Sequence, residues 1–413
     1  MTVPAELVIV GASLAGLRAA EALRAGGFAG TLTIVGAEPH PPYDRPPLSK
    51  QVLTATGPPP DTTLPVRDDL HARWLLGRPA AGLDIEHRTV NLSDGTAVPY
   101  DALVITTGAV ARSWPGHRPP PHGVLTLRGL DDALRLRGEL RPGRRTAVVG
   151  GGFLGSEVAA AARARGAHVT LLVAAEQPLL GAVGTEVGAH VAALHRGAGI
   201  DLRTGTTVEA FEAERGRLVA LRLSDGSRLP ADTAVLALGA VPATRWLAGA
   251  GLDIRAGIRC DAYLRALRQD GTVAPGVVVA GDVASVPHPL AGGRHLLLGH
   301  WTNAAEQGEA AARTLLHPDR PEPFRGVPSF WSDLHGARIR SVGLPALADT
   351  VRVVEREPAA GRLEVAYEHQ GRLVGALTIG RTARLAAYRQ ELQRRGNEAT
   401  GRDRPVPARR GPR

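Results

Sequence analysis

The sequence predicts an α/β protein made of two Rossmann-like dinucleotide-binding domains and a small α+β domain at the C-terminal end. Two observations predict the first part: an apolar strand, a glycine-rich turn and a helix follow one another near the N-terminus, and again from residue 146. A third observation predicts the last domain, because from about Glu322 the chain shows short strand patterns separated by turns. A chain of 413 residues is long enough for these cores.

The first unit begins with an apolar run, residues 7–10, which is typical of a buried strand. The turn and helix that follow point backbone N–H groups and the positive end of a helix at a pyrophosphate. Ser13 stands where a middle glycine is usual, and it is small enough to allow close approach. A second strand ends just before Glu38, whose carboxylate could accept hydrogen bonds from a ribose. The candidate residues of the turn are Gly11, Ser13, Leu14, Ala15 and Gly16.

The second unit repeats this order, with strands at residues 146–149 and 168–173 on either side of the turn and helix. One such turn is a weak signal, because a glycine-rich turn can simply join a strand to a helix. Two complete units in one chain predict two bound nucleotides. The candidate residues of the second turn are Gly150, Gly152, Phe153, Leu154 and Gly155.

Three further apolar strands set the domain boundaries. The first two end at Gly108 and Gly239, where the chain could pass to the other domain, and the third places Asp282 at its tip, where a carboxylate could bind a polyol. We therefore expect a discontinuous first dinucleotide-binding domain (1–112 and 241–321), a second dinucleotide-binding domain (113–240) and a C-terminal α+β domain (322–393) that ends in a helix at 382–393.

Most of the net charge of +9 lies in the last twenty residues, which are rich in arginine, proline and glycine. This composition predicts a disordered basic tail over 394–413. Aromatic residues make up 4% of the chain and do not interleave with a basic run, so no nucleic-acid partner is expected. No apolar run reaches the length of a membrane span, and the N-terminus lacks signal-peptide features, so a cytoplasmic location and no membrane partner are expected.

Cys260 is the only cysteine of the chain. The chain therefore cannot form an internal disulfide, a CxxC redox pair or a cysteine-based metal site. Electron transfer would have to use a bound organic cofactor, and disulfide reductases that pass electrons to an internal dithiol are excluded. Single-cysteine usage is typical of a reducing compartment.

Lys50 is the only lysine, although the chain contains 49 lysine and arginine residues together. A position that keeps a compact ammonium group amid so many arginines indicates a need that a planar guanidinium cannot meet. Lys50 also closes the run 42–50, whose prolines and Tyr43 could fix an extended loop that aims it.

These patterns resemble the FAD-dependent ferredoxin reductases of the glutathione-reductase-like fold. The most similar group comprises the reductases that supply [2Fe–2S] ferredoxins of cytochrome P450 and ring-hydroxylating dioxygenase systems. The resemblance covers about residues 5–393. It is carried by the segments 42–50, 126–133, 150–157, 281–284, 300–304 and 330–333.

The resemblance implies that the first turn holds FAD, which makes 1–112 and 241–321 the FAD-binding domain. It implies that the second turn holds NAD(P)H, which makes 113–240 the NAD(P)-binding domain. It also implies that Glu157 meets Lys50 beside the flavin, where the ammonium would stabilise the negative charge that arrives with a hydride. The FAD residues implied are Gly11, Ser13, Leu14, Ala15, Gly16, Glu38, Arg45, Lys50, Ala80, Arg112, Arg128, Asp282 and Trp301. The NAD(P)H residues implied are Gly150, Gly152, Phe153, Leu154, Gly155, Glu157, Val173 and Gly239.

Two positions depart from the family pattern. Val173 stands where an acidic residue would bind the adenosine ribose, but no arginine or lysine follows it to bind a 2′-phosphate, so NADH is favoured modestly over NADPH. Gly299 stands where relatives often carry a glutamate, before the His-Trp pair.

The electron acceptor implied is a [2Fe–2S] ferredoxin, expected to be acidic because arginines on the surface could steer it into a transient complex. Two alternatives remain. One is an NAD(P)H oxidase or rubredoxin reductase, and the other is an NADH-sensing flavoprotein that acts through partner binding.

Overall fold

The computed structural model describes residues 4–115, 119–381 and 383–401, with side chains described as far as residue 398. Within these ranges no helix is long and apolar enough to cross a membrane. The helices are α1 (Leu14–Ala25), α2 (Gln51–Thr54), α3 (Leu130–Glu139), α4 (Phe153–Ala164), α5 (Leu180–Gly197), α6 (Trp301–Leu316) and α7 (Leu385–Gly401). The strands are β1 (Glu6–Val10), β2 (Thr31–Val35), β3 (Arg73–Leu75), β4 (Ala80–Asp84), β5 (Thr89–Leu92), β6 (Ala97–Pro99), β7 (Ala102–Ile105), β8 (Ala109–Ala111), β9 (Val124–Thr126), β10 (Arg145–Val149), β11 (His168–Val173), β12 (Asp201–Thr204), β13 (Val208–Glu214), β14 (Arg217–Leu223), β15 (Arg228–Pro230), β16 (Thr233–Leu236), β17 (Ala240–Pro242), β18 (Ile258–Arg259), β19 (Arg265–Leu267), β20 (Val273–Val279), β21 (Ala284–Pro287), β22 (His295–Leu297), β23 (Ser329–Leu334), β24 (Ala337–Gly343), β25 (Thr350–Glu357), β26 (Arg362–His369) and β27 (Arg372–Ile379).

The first sheet has the order β19-β20-β7-β1-β2-β3, and all of its neighbours except β19 and β20 pair in parallel. Its strands come from two separate stretches of the chain, because β20, at residues 273–279, pairs with β7, at residues 102–105. This topology supports a discontinuous first domain. Helix α6 packs on α1 so closely that a Cβ at Gly308 would lie 2.4 Å from the carbonyl oxygen of Ala15. The contact fixes the N-terminal end of α6, which carries Trp301.

The second sheet is fully parallel, with the order β12-β11-β10-β16-β9. Its central strands are buried on both faces, as the continuous apolar run in β10 indicates. Helix α4 packs on one face, and apolar residues of the antiparallel sheet β13-β14-β15 join a core cluster with the strands β10, β11 and β16. Strands β8 and β17 form a two-stranded antiparallel ribbon where the chain crosses between the two sheets.

The C-terminal part is an antiparallel sheet of order β23-β24-β27-β26-β25, against which α7 packs with Leu392 fully buried. Helix α5 packs on another part of this sheet, where the Tyr367 hydroxyl donates a 2.7 Å hydrogen bond to the Val183 carbonyl. The three sheets confirm the predicted α/β class with an α+β domain at the C-terminal end.

The predicted start of the disordered tail at residue 394 is wrong, because α7 continues to Gly401. Arg394 and Arg395 lie 2.5 and 2.6 Å from Glu391, and Arg394 also reaches Glu398 at 3.4 Å. Such pairs three or four residues apart stabilise a helix. The remainder of the tail prediction, residues 402–413, lies outside the described residues.

Two histidines meet where α5 contacts the turn between β23 and β24. The Nδ1 of His195 lies 3.0 Å from the Nε2 of His335. His195 is fully buried. Burial, and then the proximity of His335, lower the pKa of His195 to about 4 from its ordinary value of 6.5.

The pKa of His195 predicts that the protein loses stability in mild acid. The unfolded histidine takes up a proton near pH 6.5 and the folded one only near pH 4, so the free energy of unfolding falls as the pH drops through this window. His195 alone contributes up to about 3 kcal/mol. Urea unfolding at pH 7.5 and pH 5 measures the loss, which we expect His195→Gln to reduce. The exposed His317 provides the control, since His317→Gln should leave the loss unchanged. An undiminished loss in His195→Gln would contradict this assignment.

Candidate dinucleotide and redox site

Two adjoining cavities of about 550 and 350 Å³ share lining residues and follow the carboxyl ends of the first sheet. We refer to them together as the long cleft. One end is lined by Glu38 and Ala80, and the inner end is lined by Lys50, Glu157 and Trp301. A cleft of this size is typical of a site for an extended organic cofactor.

The first glycine turn packs tightly against neighbouring backbone on one side and is open to the long cleft on the other. Gly11 has a φ of +126°, and a Cβ there would lie 2.2 Å from the Thr106 carbonyl oxygen. A Cβ at Gly16 would lie 2.0 Å from the carbonyl oxygen of Gly11. Ser13 is the N-cap residue of α1 and lines the cleft, but its side chain makes no capping hydrogen bond among the described residues. Leu14 and Ala15 begin the helix and line the inner cavity. The turn therefore fits a pyrophosphate at the start of α1.

Glu38 is held as an ionised acceptor at the outer end. The Tyr43 hydroxyl donates to its Oε2 at 2.5 Å, and Arg45 donates to its Oε1 at 2.7 Å. Burial raises the pKa of Glu38, but the charge of Arg45 and the hydrogen bonds from Tyr43 and Arg45 together bring that pKa below its ordinary value. The side chain stays 39% exposed, so its free lone pairs can still accept hydrogen bonds in the cleft.

The middle of the cleft carries an ion pair between the two domains. Arg128 donates to Asp282 at 2.7 Å and to the Ala109 carbonyl at 2.9 Å. A Cβ at Gly299 would lie 3.7 Å from the carboxyl carbon of Asp282, so this glycine leaves the carboxylate open to the cleft. Trp301 donates from its Nε1 to Asp44 at 2.7 Å, which fixes the indole at the inner end.

Three parts of the fold meet at the carboxylate of Glu157, on α4. The Lys50 ammonium lies 2.8 Å from its Oε1, which is the pairing that the family resemblance implies. Ser49 donates to Oε2 at 2.5 Å, and Ser332, on β23, donates to Oε1 at 2.6 Å. The side chains of Lys50 and Glu157 are only 14% and 8% exposed. A buried charge pair needs such additional hydrogen bonds to be stable.

The loop before Lys50 fixes the direction of its side chain. A short 3₁₀ helix, Pro46–Ser49, ends at Lys50, whose ammonium also donates to the Pro46 carbonyl at 3.3 Å. Leu48, Val52 and Leu53 anchor the loop in the core formed by the strands and helices of the second domain. The ammonium is therefore positioned before any ligand binds.

The second glycine turn has the same construction as the first. A Cβ at Gly150 would lie 2.3 Å from the Ala237 carbonyl oxygen, and one at Gly155 would lie 1.9 Å from that of Gly150. Gly152, the N-cap residue of α4, differs, because no described heavy atom lies within 4 Å of its Cβ position. The open side of the turn thus faces space where a coenzyme could approach.

Three more residues of the predicted coenzyme site, Phe153, Leu154 and Val173, lie close to the second turn. Phe153 and Leu154 line the inner end of the cleft, so the second turn leads directly to Lys50. Val173 is buried, and a Cβ at Gly151 would lie 2.6 Å from its methyl group, so Val173 supports the turn and offers no polar group to a ribose.

Arg112 and Gly239 meet at the crossover between the two domains. The amide of Arg112 donates to the Gly239 carbonyl at 2.9 Å. The exposed side chain of Arg112 does not line the long cleft. The predicted contact of Arg112 with a pyrophosphate therefore stays a prediction.

Sequence reasoning missed Ser49, Ser332 and Asp44 as members of the site. Ser49 and Asp44 lie inside the segment 42–50, so the segment itself was the available signal. Ser332 lies in the segment 330–333, but no local pattern in the sequence shows that β23 packs against α4.

Comparisons with known proteins agree with this geometry. Residues 5–308 match the family model described as pyridine nucleotide-disulphide oxidoreductase, and residues 329–403 match the model described as reductase C-terminal. The chain is 36% identical to the biphenyl dioxygenase system ferredoxin–NAD(+) reductase component of Paraburkholderia xenovorans, over 82% of this chain and 80% of that protein. It is 33% identical to rhodocoxin reductase of Rhodococcus erythropolis, over 94% of this chain and 89% of that protein.

The fold also matches a solved structure, the crystal structure of the covalent putidaredoxin reductase–putidaredoxin complex. The TM-score is 0.87 at 32% identity, over 94% of this chain and 93% of that chain. The family match spans both glycine turns and the Lys50–Glu157 pair. This chain therefore belongs to the pyridine nucleotide-disulphide oxidoreductase family.

Proposed function

We propose that this protein is an FAD-dependent NAD(P)H:ferredoxin reductase that passes electrons from NADH to a [2Fe–2S] ferredoxin serving a cytochrome P450 or a Rieske-type oxygenase. One observation carries the proposal: the two glycine turns lead to a single point, the buried pair Lys50–Glu157, which lines the cleft beside Phe153 and Leu154 at the start of α4. A site built this way brings two dinucleotides together at a fixed charge. The lone cysteine suits a cytoplasmic reaction.

The residues fit the chemistry that the reaction requires. Bound FAD would convert a two-electron donor into a one-electron donor. Gly11, Ser13 and Gly16 would hold its pyrophosphate, and Glu38 its ribose. Lys50, held by Glu157 at 2.8 Å, would place a positive charge beside the flavin, where the hydride brings negative charge.

The names of the relatives support the acceptor. The biphenyl dioxygenase relative and rhodocoxin reductase are named as reductases, and the solved neighbour is a complex with putidaredoxin. Outside the last twenty residues the chain has 42 lysine and arginine residues against 38 aspartate and glutamate residues, and the field of this net charge of +4 favours an acidic carrier.

This field predicts a salt-dependent reaction with ferredoxin. We expect the second-order rate with an acidic [2Fe–2S] ferredoxin to fall at least tenfold between 20 and 300 mM salt, because screening weakens steering. Stopped-flow mixing of the reduced protein with ferredoxin measures the rate, and reoxidation by the neutral acceptor dioxygen is the matched control. If the second-order rate with ferredoxin did not change with salt concentration, electrostatic steering would be ruled out.

Coenzyme choice is the second quantity to test. After Val173 the chain continues with Ala174, Ala175 and Glu176, so no cation follows to bind a 2′-phosphate and Glu176 would repel it. We expect NADPH to bind at least tenfold more weakly than NADH, measured from the concentration dependence of flavin reduction. Equal affinities for NADH and NADPH would contradict the inference that this segment disfavours a 2′-phosphate.

The proposed function is tested against the oxidase alternative by steady-state turnover. With NADH and a [2Fe–2S] ferredoxin, reduction of the ferredoxin should be much faster than oxygen uptake by the protein alone. Fast oxygen uptake that ferredoxin does not diminish would favour the oxidase instead.

A further inference from the structure

A third cavity, of about 410 Å³, reaches the Lys50–Glu157 pair from another side, and we refer to it as the rear cavity. The long cleft approaches Glu157 along the N-terminal end of α4, past Phe153 and Leu154. The rear cavity approaches it along the C-terminal end, past Ala160 and Ala164. The residues that line both cavities are Ser49, Lys50 and Glu157.

The proposed function, on which this inference rests, creates a need for such a route. Oxidation of one NADH by two oxidised ferredoxins gives NAD⁺, two reduced ferredoxins and one proton. With FAD and the coenzyme bound as proposed, that proton would be released at the inner end of the long cleft, which the two ligands would fill. It has to leave without passing through them.

We propose that this proton leaves through the rear cavity, by way of Lys50 and Glu157. One N–H proton of the Lys50 ammonium moves to Glu157 Oε1, 2.8 Å away, while the released proton takes its place on Nζ. Glu157 then gives its proton to water in the rear cavity. Each step breaks one bond to hydrogen and forms another, so the pair returns to its starting charges.

The geometry around Lys50 and Glu157 favours proton transfer towards the rear cavity. Glu157 is the one carboxylate among the described residues that lines both the rear cavity and the inner end of the long cleft. Ser49 and Ser332 donate hydrogen bonds to its two oxygens, so the carboxylate stays in position while it exchanges a proton with Lys50.

Three other ionisable side chains line the rear cavity, namely Arg163, Asp333 and His335. Asp333 pairs with Arg340 at 3.1 Å and is 40% exposed, so it connects the cavity to bulk water. His335 pairs with His195, and burial lowers the pKa of His335, which keeps its ring neutral near pH 7.

Blocking the rear cavity tests the proposal without touching the pair. Ala164 is exposed at the end of α4 and lines the cavity, so Ala164→Trp should close it, and Gln51→Trp should do so from α2. Ala193, exposed on α5 and absent from the lining residues described for the cavities, gives the matched control Ala193→Trp.

The first readout is chemical access to Lys50 and needs no turnover. Because Lys50 is the only lysine, methylation by formaldehyde and cyanoborohydride reports on one side chain. The protein is loaded with FAD and saturated with NAD⁺, so that the long cleft is filled, and mass spectrometry of the peptide that carries Lys50 separates its labelling from that of the N-terminal amine. We expect labelling in the unmodified protein and in Ala193→Trp, and labelling at least fivefold slower in Ala164→Trp and Gln51→Trp. Labelling that neither variant slows would overturn the proposal, because the rear cavity would not be the way in.

The second readout follows the proton itself, with ferricyanide as the one-electron acceptor and a pH-indicator dye. In Ala164→Trp we expect proton release and acceptor reduction to slow at least fivefold, with a larger solvent isotope effect. Reduction by NADH should be unchanged, since a hydride brings its own hydrogen. Unchanged proton release in a variant whose labelling is blocked would overturn the proposal. If the unmodified protein passed no electrons from NADH to ferricyanide, the proposed function would fail, and this inference with it.

Discussion

Replacing Lys50 by arginine is expected to leave the protein folded and to slow reduction of its flavin by NADH at least tenfold. The Lys50 ammonium would attract the negative charge that the flavin gains on reduction. At roughly 4 Å and an effective dielectric constant of about 20, two such unit charges attract by about 4 kcal/mol before desolvation is subtracted. A loss of about 1.4 kcal/mol from that interaction is enough for a tenfold change in rate. The guanidinium cannot reproduce both contacts of the ammonium, which lies 2.8 Å from Glu157 and 3.3 Å from the Pro46 carbonyl, because its charge is spread over a plane and lies farther from the backbone.

Two further variants separate charge from shape. Lys50→Met removes the charge but keeps the length, and it should slow reduction at least as much as Lys50→Arg does. Glu157→Gln keeps an acceptor for the ammonium but removes the carboxylate, and it should slow reduction less. Anaerobic rapid mixing with NADH measures all three rates, and FAD content serves as the check on folding. Unchanged reduction in Lys50→Arg would remove Lys50 from the mechanism.

Alanine at Gly155 and at Gly152 of the second turn should affect different properties, the first stability and the second coenzyme binding. At Gly155 the new Cβ would lie 1.9 Å from the Gly150 carbonyl oxygen, a backbone atom that cannot move aside. We expect Gly155→Ala to lower the free energy of unfolding by about 3 kcal/mol or more, in the range of severe overpacking. Thermal unfolding followed by circular dichroism measures this change.

Gly152→Ala is the matched variant. Gly152 has a φ of −74°, which alanine adopts without strain, and its Cβ would point into open space. Stability and FAD content should therefore stay the same, while the dissociation constant for NADH rises at least tenfold, because the methyl group would occupy the coenzyme's place. Unchanged NADH affinity in Gly152→Ala would show that the coenzyme does not approach this turn.

The sequence predicted the parts of the fold that depend on local pattern. Both strand-turn-helix units are read from residues close together in the chain, and the structure builds each from a Gly whose Cβ would meet backbone. The pairing of Lys50 with Glu157 was available only from the family resemblance, because the two residues are distant in sequence and come from different domains.

Other features depend on long-range packing or on the balance of local forces. Ser332 joins the site because β23 of the C-terminal domain packs on α4, which no local pattern reveals. The end of α7 was misjudged because composition indicated disorder, whereas Glu391 and Glu398 pair with arginines along the helix.

We propose that a hydride enters at the Lys50 end of the long cleft and that its two electrons leave one at a time to ferredoxin. Anaerobic stopped-flow mixing of the FAD-loaded protein with NADH, followed by a [2Fe–2S] ferredoxin in a second mix, tests it directly. We expect rapid bleaching of the flavin by NADH, slower bleaching by NADPH at equal subsaturating concentration, and recovery of the flavin colour as two ferredoxins are reduced. A flavin that neither coenzyme bleaches, or that stays bleached when ferredoxin is added, would rule out this electron route.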